Sequence, residues 1–184
     1  MYPEPHQLQE PITPYSTGDL YAFRSRIRRH GLLWATHLGD DVVAAAGTPV
    51  YAIGVGKVVW VQMRSGERTH RDWGGVVIIG HTDPRDHRQF FSVYGHMTDL
   101  AVTQGQTVAG GEQLGVIAAS YTPENGWWKH PHLHFAIYTG PWRDQILPGW
   151  ARPEHWLMRG SSRKTKVSWW HDPRPFMAAF TPES

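Results

Sequence analysis

The amino-acid sequence predicts a mostly β domain, built as an antiparallel β-sandwich or a partly open barrel. From Val42 onward, short runs of β-branched and aromatic residues are separated by glycines, which is typical of strands. The runs follow one another closely, and closely spaced short strands are characteristic of sandwiches and barrels. A chain of 184 residues suits one domain of ordinary size with one substantial insertion.

Seven runs in the centre of the chain are predicted as strands because they are rich in β-branched and aromatic residues. They comprise residues 49–53, 57–62, 76–80, 89–95, 107–108, 113–118 and 132–138. Two glycine pairs, Gly54 with Gly56 and Gly110 with Gly111, lie between successive runs. Because glycine readily adopts the positive φ of a tight turn, we predict a hairpin at each pair.

The two flanks differ in composition from this centre. Residues 1–30 are predicted as an N-terminal arm, since four prolines occur in residues 1–19, and residues 21–30 can form one short helix. Residues 31–140 are the predicted core. Residues 141–184 are predicted as a Trp-rich insertion and long loop, followed by a closing segment over residues 172–176.

Composition excludes several kinds of site. The chain has no cysteine, so disulfides, thiolate zinc sites and cysteine nucleophiles are excluded, and any metal must be held by His, Asp or Glu. The 12 histidines are therefore the first candidates. The formal charge of +2 and pI of about 9.0 come without the dense Lys/Arg block of a nucleic-acid-binding protein. Apolar runs such as residues 75–79 are too short to span a bilayer.

The motif His132-Leu133-His134 opens the last predicted strand. Side chains alternate between the faces of a strand, so His132 and His134 share one face while Leu133 and Phe135 point into the core. Two imidazoles one residue apart can therefore line one site. Taken alone, the pair is also compatible with surface or hydrogen-bonded core histidines.

A second motif, His37-Leu-Gly-Asp-Asp41, offers an imidazole and a carboxylate four residues apart. Gly39 and the β-like residues after Asp41 favour a turn that enters a strand. With one more ligand from a distant strand, the motif would complete the three protein ligands and open position of a catalytic zinc site. The alternative is that Asp40 and Asp41 are a polar pair in a surface turn.

A third motif, Tyr94-Gly-His96-Met, ends another predicted strand. A neutral histidine that does not bind metal can accept a proton from water or stabilise a developing oxyanion. Alone, His96 is more typical of a surface histidine. His81 and His87 flank a polar stretch and are predicted to lie at a surface turn.

The order and surroundings of these motifs resemble the lysostaphin-type and LytM-like zinc endopeptidases of bacterial cell walls. The similarity covers residues 37–137 and includes H-L-G-D-D, G-T-P-V-Y-A, V-V-I-I-G-H, Y-G-H-M, V-T-Q-G-Q-T-V-A-G-G-E-Q-L-G and H-P-H-L-H-F. The resemblance implies one zinc ion bound by His37, Asp41 and His134. It implies that His96 and His132 polarise the water and stabilise the tetrahedral intermediate without binding the metal. The implied fold is a duplicated-hybrid-motif-like groove of antiparallel strands walled by loops.

From this resemblance we expect a zinc-dependent endopeptidase acting on peptidoglycan stems or cross-bridges, in the cell envelope or secreted. No apolar segment of an export signal is visible in residues 1–15. The alternative is a catalytically silent relative that binds the wall or activates a hydrolase, although all five expected positions are retained. A biotinyl or lipoyl carrier domain would need a lysine at a hairpin tip, which residues 108–113 lack.

Three features depart from the family pattern or have two interpretations. Residues 118–129 are bulky and aromatic where the family often has small residues, which alters the expected substrate preference. The arginines at positions 24, 26, 28 and 29 form either a solvated segment or a contact for an acidic wall polymer. The tryptophans can line the groove or pack the insertion onto the sheet, and packing is favoured; they are residues Trp127, Trp128, Trp142, Trp150, Trp156, Trp169 and Trp170.

Overall fold

A computed structural model describes residues 1–153 and 165–180, and they are mostly antiparallel β-structure with little helix. The predicted fold class is therefore confirmed. The strands are β1 (Arg26–Arg29), β2 (Leu32–His37), β3 (Asp40–Val43), β4 (Pro49–Tyr51), β5 (Gly56–Arg64), β6 (Gly74–Thr82), β7 (Gln89–Thr98), β8 (Thr107–Val108), β9 (Gln113–Ile117), β10 (His132–Tyr138), β11 (Trp150–Ala151) and β12 (Trp170–His171). A 3-10 turn, Val167–Trp169, and one helix, α1 (Pro173–Ala178), lie near the C-terminal end.

The strands form two sheets. The large sheet has the order β12-β10-β7-β6-β5-β8, with β3 beside β10 and with β9 paired to both β4 and β7. The small sheet has the order β1-β2-β11. The first and last strands of the large sheet do not pair with each other, so the described residues form no closed barrel.

The seven predicted strands correspond to β4 through β10, but the two predicted hairpins are wrong. β4 pairs with β9, and β5 pairs with β6 and β8, so neither glycine pair joins two partner strands. The glycines have other structural roles. Gly111 has the expected positive φ of +79°, whereas a Cβ on Gly56 would lie only 2.4 Å from Cγ2 of Ile79.

The predicted helix over residues 21–30 is also wrong, because part of this segment is strand β1. β1 pairs with β2, and Arg29 faces Leu32 across a two-residue turn. The turn residues His30 and Gly31 have φ values of +50° and +79°. Positive φ at both central positions is the signature of the turn that matches the twist of a hairpin. Pairing with β2 thus overrides the local preference of residues 26–29.

The division into residues 1–30, 31–140 and 141–184 stays a prediction. Trp156, Arg163 and Lys164 lie outside the described residues. In the part of the chain that is described, no helix is long and apolar enough to cross a membrane. The N-terminal arm packs on the domain, since Leu8, Ile12 and Tyr15 are buried in the core.

The two faces of β10 show how the core places the histidines. Leu133 and Phe135 belong to one hydrophobic cluster, and Ala136 belongs to the other. Because side chains alternate along a strand, His132 and His134 lie on the same face as Ala136. The predicted placement of His132 and His134 on one face, and of Leu133 and Phe135 on the other, is confirmed.

His81 differs from its prediction, since it is fully buried in β6 rather than exposed at a turn. Its Nδ1 lies 2.8 Å from the carbonyl oxygen of Val55, and its Nε2 lies 2.8 Å from Oγ of Ser92. A carbonyl only accepts, so Nδ1 carries the proton and Nε2 accepts from the serine. Burial lowers the pKa of His81 from its usual 6.5 to about 4. The ring is thus a neutral, fully hydrogen-bonded part of the core.

We expect this buried histidine to make the fold sensitive to acid. Below pH 6.5 His81 is protonated in the unfolded chain, whereas in the folded chain it stays neutral down to about pH 4. The free energy of unfolding therefore falls as the pH drops from 6.5 to about 4. The free energy of unfolding should be about 2 kcal/mol lower at pH 5 than at pH 7.5 from this group alone. Urea unfolding at both pH values measures it. His81→Gln should flatten the slope, whereas the exposed-site variant His70→Gln should keep it; equal slopes in all three proteins would contradict the prediction.

Candidate metal centre and active site

Three buried side chains from three strands converge at the end of the large sheet. His37 is the last residue of β2, Asp41 lies in β3, and His134 lies directly opposite Asp41 in β10. Nε2 of His37 is 3.0 Å from Nδ1 of His134 and 3.2 Å from Oδ1 of Asp41. Nδ1 of His134 is 3.0 Å from the same carboxylate oxygen. Among the described residues, these three form the group of His, Asp and Glu whose ligand atoms could share one metal ion.

The donor set fits zinc. Two imidazole nitrogens and one carboxylate oxygen are a common catalytic zinc set, with ligand distances that imply separations of about 3.3–3.5 Å between donors in a tetrahedron. The observed separations of 3.0–3.2 Å are slightly shorter, so a small outward movement accommodates the ion. The three donors occupy one side, which leaves the cavity side open for water or substrate.

The surrounding backbone presents these donors to the ion. Nδ1 of His37 lies 3.3 Å from the carbonyl oxygen of Ala22, which can only accept, so the proton sits on Nδ1 and the Nε2 lone pair faces the site. The amide of Asp41 donates to the carbonyl of Tyr21 at 2.8 Å. Next to it, Asp40 accepts from the hydroxyl of Tyr15 at 2.8 Å. The N-terminal arm therefore helps to hold both ligands.

The protonation states also favour a cation. Burial raises the pKa of Asp41, but the surrounding imidazoles of His37, His134 and His132 more than offset this, and the pKa lies well below its usual range. Burial lowers the pKa of His134 to about 4. The pair is thus a carboxylate and a neutral imidazole near pH 7, which are the forms that bind metal.

His96 and His132 lie beside the three candidate ligands, with their ring centroids 4.5 Å apart. Nδ1 of His132 is 2.7 Å from the carbonyl oxygen of His130, so this nitrogen donates and Nε2 keeps a free lone pair. Nε2 lies 3.8 Å from Oδ1 of Asp41. His132 is therefore oriented as a proton acceptor at the edge of the candidate metal centre.

His96 reaches the site through an unusual backbone conformation. Its φ is +66°, which is uncommon for a residue with a side chain and is frequent at functional sites. Two hydrogen bonds hold this conformation, from the amide of His96 to the carbonyl of Trp73 and from the amide of Ala118 to the carbonyl of His96. Burial, followed by the charges of His132 and His134, keeps the pKa of His96 well below 6.5. The ring is neutral near pH 7.

The five histidine and aspartate positions open into one cavity of about 110 Å³. Aromatic side chains form its walls: Trp150 contacts the ring of His37 with centroids 4.4 Å apart, and Trp128 lies 6.0 Å from His96. The structure thus brings together every residue that the motifs predicted. The complete lining is Leu20, Tyr21, His37, Asp41, His96, Trp128, Lys129, His130, His132, His134 and Trp150.

Sequence analysis missed Tyr21 and Trp73. Tyr21 lines the cavity from the arm, and its ring lies 5.4 Å from that of Trp150. Trp73 stacks on His96 and meets His134 edge-on, at 5.9 and 4.9 Å. The available signal was the lone tryptophan before a glycine pair in Arg-Asp-Trp-Gly-Gly. The tryptophans have both predicted roles, since Trp128 and Trp150 line the cavity while Trp142 and Trp169 pack on the second core cluster.

Gly39, between the candidate ligands His37 and Asp41, permits β10 to approach. A Cβ there would lie 2.4 Å from the carbonyl oxygen of Phe135 and 3.0 Å from Nε2 of His134. We expect Gly39→Ala to destabilise the fold by about 3 kcal/mol and to weaken zinc binding, because the backbone of a central strand cannot move aside. Urea unfolding and zinc titration measure both effects. Gly110→Ala, whose nearest neighbour is 3.2 Å away, should cost less; zinc binding of Gly39→Ala at the wild-type level would refute the prediction.

Comparison with known proteins gives related sequences and a similar fold. The lipoprotein YgeR of Escherichia coli (strain K12), described as uncharacterised, is 29% identical over 109 residues, which are 59% of this chain and 34% of that protein. The peptidoglycan DD-endopeptidase ShyA of Vibrio cholerae is 31% identical over 103 residues, 56% of this chain and 20% of that protein. The chain thus spans about a third and a fifth of the length of these relatives.

Among solved structures, the catalytic domain of lysostaphin from Staphylococcus simulans is similar with a TM-score of 0.51 at 22% identity, covering 86% of this chain and 90% of that domain. This similarity shows a shared fold. Residues 35–145, more than half of the chain, match the profile of one peptidase family. The chain belongs to peptidase family M23.

Proposed function

We propose that this chain is a zinc-dependent endopeptidase that hydrolyses peptide bonds in bacterial peptidoglycan stems or cross-bridges. The observation that carries the proposal is the convergence of His37 Nε2, Asp41 Oδ1 and His134 Nδ1 within 3.0–3.2 Å, beside two histidines that open into the same cavity. Membership of a peptidase family supports the reaction type. Similarity to ShyA, named a peptidoglycan DD-endopeptidase, supports the substrate and a site of action in the cell envelope or outside the cell.

His37, Asp41 and His134 would hold the ion. Two neutral imidazoles and one carboxylate carry a single negative charge, so a doubly charged zinc ion held by them would keep a net positive charge. That charge suits attack on a carbonyl group. Zinc held there supplies Lewis-acid chemistry, which polarises a peptide carbonyl and makes water acidic enough to act as a nucleophile near neutral pH. The side chains of the protein then position the water and move its proton.

We assign His132 as the general base. Its Nδ1 is occupied as a donor to the carbonyl of His130 at 2.7 Å, so Nε2 is the nitrogen that can take a proton from the attacking water. The resulting imidazolium lies near Asp41, whose carboxylate oxygen is 3.8 Å from Nε2 and stabilises the positive charge. The same nitrogen can return the proton to the leaving amine as the peptide bond breaks.

We assign His96 as the donor that stabilises the oxyanion. Its Nδ1 is buried without a hydrogen-bond partner among the described residues. A neutral imidazole carries its proton on one of its two nitrogens, and the proposed role requires the tautomer with the proton on Nε2. A neutral imidazole of this form can donate to the oxygen on which negative charge develops. Stacking against Trp73 at 5.9 Å fixes the plane of the ring.

The test combines metal analysis with cleavage of purified cell walls. The full chain, loaded with zinc and then dialysed, is expected to hold about one zinc per chain by elemental analysis and to reduce the turbidity of a wall suspension. Mass spectrometry of the released fragments should show new peptide termini. Removal of zinc by a chelator should stop the turbidity loss, and added zinc should restore it. If the zinc-loaded protein cleaves neither walls nor wall-derived peptides, the proposed activity is wrong.

A further inference from the structure

The small sheet carries a cluster of arginines next to the candidate active site. Three of the four residues in β1 are arginine, namely Arg26, Arg28 and Arg29, and all three are exposed. Arg152 follows β11, the strand at the opposite edge of the small sheet, and is also exposed. Together with Trp34 of β2 these residues are called the arginine surface below. It concentrates positive charge on a sheet of only three short strands.

The arginine surface lacks acidic partners among the described residues. Some arginines elsewhere have carboxylates beside them: Arg64 is 2.8 Å from Asp72, and Arg85 is 2.6 Å from Asp83. No ion pair within residues 1–153 and 165–180 includes an arginine of the arginine surface. Arg28 donates to the carbonyl of Gly31 at 3.0 Å, which leaves its charge uncompensated. These guanidinium groups can therefore pair with an external anion.

Trp34 orients two of the guanidinium groups. The Cζ atoms of Arg29 and Arg152 lie 3.9 and 4.7 Å from the centre of its ring. A stacked guanidinium uses its flat face and keeps its N–H groups, which lie in its plane, free to bind a carboxylate with two hydrogen bonds. Arg29 lies in β1 and Arg152 follows β11, so the tertiary structure brings them to one ring. This arrangement is pre-organised for carboxylates and for apolar faces such as those of sugars.

Aromatic rings connect the arginine surface with the cavity. Trp34 lies 6.3 Å from Trp150, and Trp150 lies 4.4 Å from His37. β2 itself runs from Leu32 beside Arg29 to the candidate ligand His37, a distance of about 17 Å for a strand of this length. A polymer whose peptide bond lies in the cavity can therefore reach the arginine surface.

We propose that the arginine surface is a substrate subsite that binds the free carboxylates of a peptidoglycan strand while a neighbouring peptide bond lies in the cavity. The identity of the polymer rests on the proposed function; the chemistry recognised is a carboxylate-bearing glycopeptide. Charged residues on an edge strand also prevent pairing with other chains, and β1 is such a strand. That role does not require the stacking of Arg29 and Arg152 on one tryptophan, whereas carboxylate binding makes use of it.

The test compares two triple variants that lose the same charge. In Arg26→Gln/Arg28→Gln/Arg29→Gln the charge is removed from the arginine surface, and in Lys57→Gln/Arg88→Gln/Arg143→Gln it is removed from exposed positions elsewhere. Co-sedimentation with purified peptidoglycan at 4 °C and low salt measures the dissociation constant. We expect a rise of about tenfold for the first variant, since each exposed charge pair adds modestly to binding, and less than twofold for the control. Arg152→Gln, at the residue after β11, should weaken binding about two- to threefold.

Chemically amidated peptidoglycan provides the second arm, because its carboxylates are blocked. It should bind the wild-type chain as weakly as untreated peptidoglycan binds the first variant. Equal binding of untreated walls by both triple variants would overturn the proposal, as would undiminished binding of amidated walls. Tighter binding of duplex DNA than of walls, lost in the first variant, would instead identify a nucleic-acid surface.

Cleavage of a short amidated wall peptide separates this proposal from the proposed function. The first variant should cleave this peptide at the wild-type rate, because the peptide carries no carboxylate for the arginine surface. If the wild-type chain binds walls through the arginines and cleaves nothing, the enzymatic proposal fails and the subsite stands. If it cleaves the peptide and both triple variants bind walls alike, the subsite fails and the enzymatic proposal stands.

Discussion

His134→Ala is expected to abolish both zinc binding and wall cleavage. The substitution removes one of three donors that lie within 3.0–3.2 Å of each other, and the remaining histidine and aspartate cannot complete a three-ligand site. Loss of an outer hydrogen-bond partner of a metal ligand already costs 10- to 100-fold in affinity as a rule, and loss of the ligand costs more. Cleavage should fall by about 10³-fold or more, because the metal supplies several kcal/mol of transition-state stabilisation.

Elemental analysis and the turbidity assay check this result on the same preparation. His134 is buried in a central strand, so its replacement by alanine also removes packing contacts. Asp41→Asn therefore provides a second variant, whose side chain has nearly the same shape as the original. It replaces the carboxylate by a neutral amide, a weaker ligand, and should lose zinc as well. The matched control is His70→Ala at an exposed position, which should keep both properties. Full zinc content in both site variants would show that the assigned donors do not hold the metal.

His132→Asn is expected to separate metal binding from catalysis. In the wild-type chain Nδ1 of His132 donates to the carbonyl of His130 at 2.7 Å. The amide of asparagine can replace this donor, but asparagine has no atom in the place of Nε2. The general base is therefore removed while the local backbone is retained. Cleavage should fall by about 10²- to 10⁴-fold, while the zinc content stays near one per chain.

His132 and His134 are two residues apart in one strand. A comparison of His132→Asn with His134→Ala therefore distinguishes a general base from a metal ligand at neighbouring positions. Initial rates on a soluble wall peptide and elemental analysis of each variant are the measurements. His130→Asn, which changes a neighbouring exposed side chain and keeps its carbonyl, should retain most of the activity. A His132→Asn rate within tenfold of wild type would rule out this residue as the base, and loss of zinc would make it a ligand.

The amino-acid sequence by itself determined the fold class and the candidate chemistry. Strand side chains repeat every two residues, and this local rule correctly placed His132 and His134 on one face and Leu133 on the other. The absence of cysteine restricted any metal to His, Asp and Glu. The spacing of His37 and Asp41 offered an imidazole and a carboxylate, and the resemblance to a known family joined them with His134 into one candidate ligand set. These inferences depend on composition, on motifs and on near neighbours in the chain, which the sequence shows directly.

Only the tertiary structure decided which strands are partners and therefore what each side chain meets. The predicted hairpins were wrong because β4 pairs with β9 and β8 pairs with β5, strands that lie far apart in the chain, and the predicted helix was wrong because residues 26–29 pair with β2. His81 is buried although a polar stretch follows it in the sequence. The free energy of these arrangements comes from contacts between distant residues, such as Asp41 with His134. Local sequence patterns carry little information about such contacts, which also produce the cavity and the stacked arginines beside it.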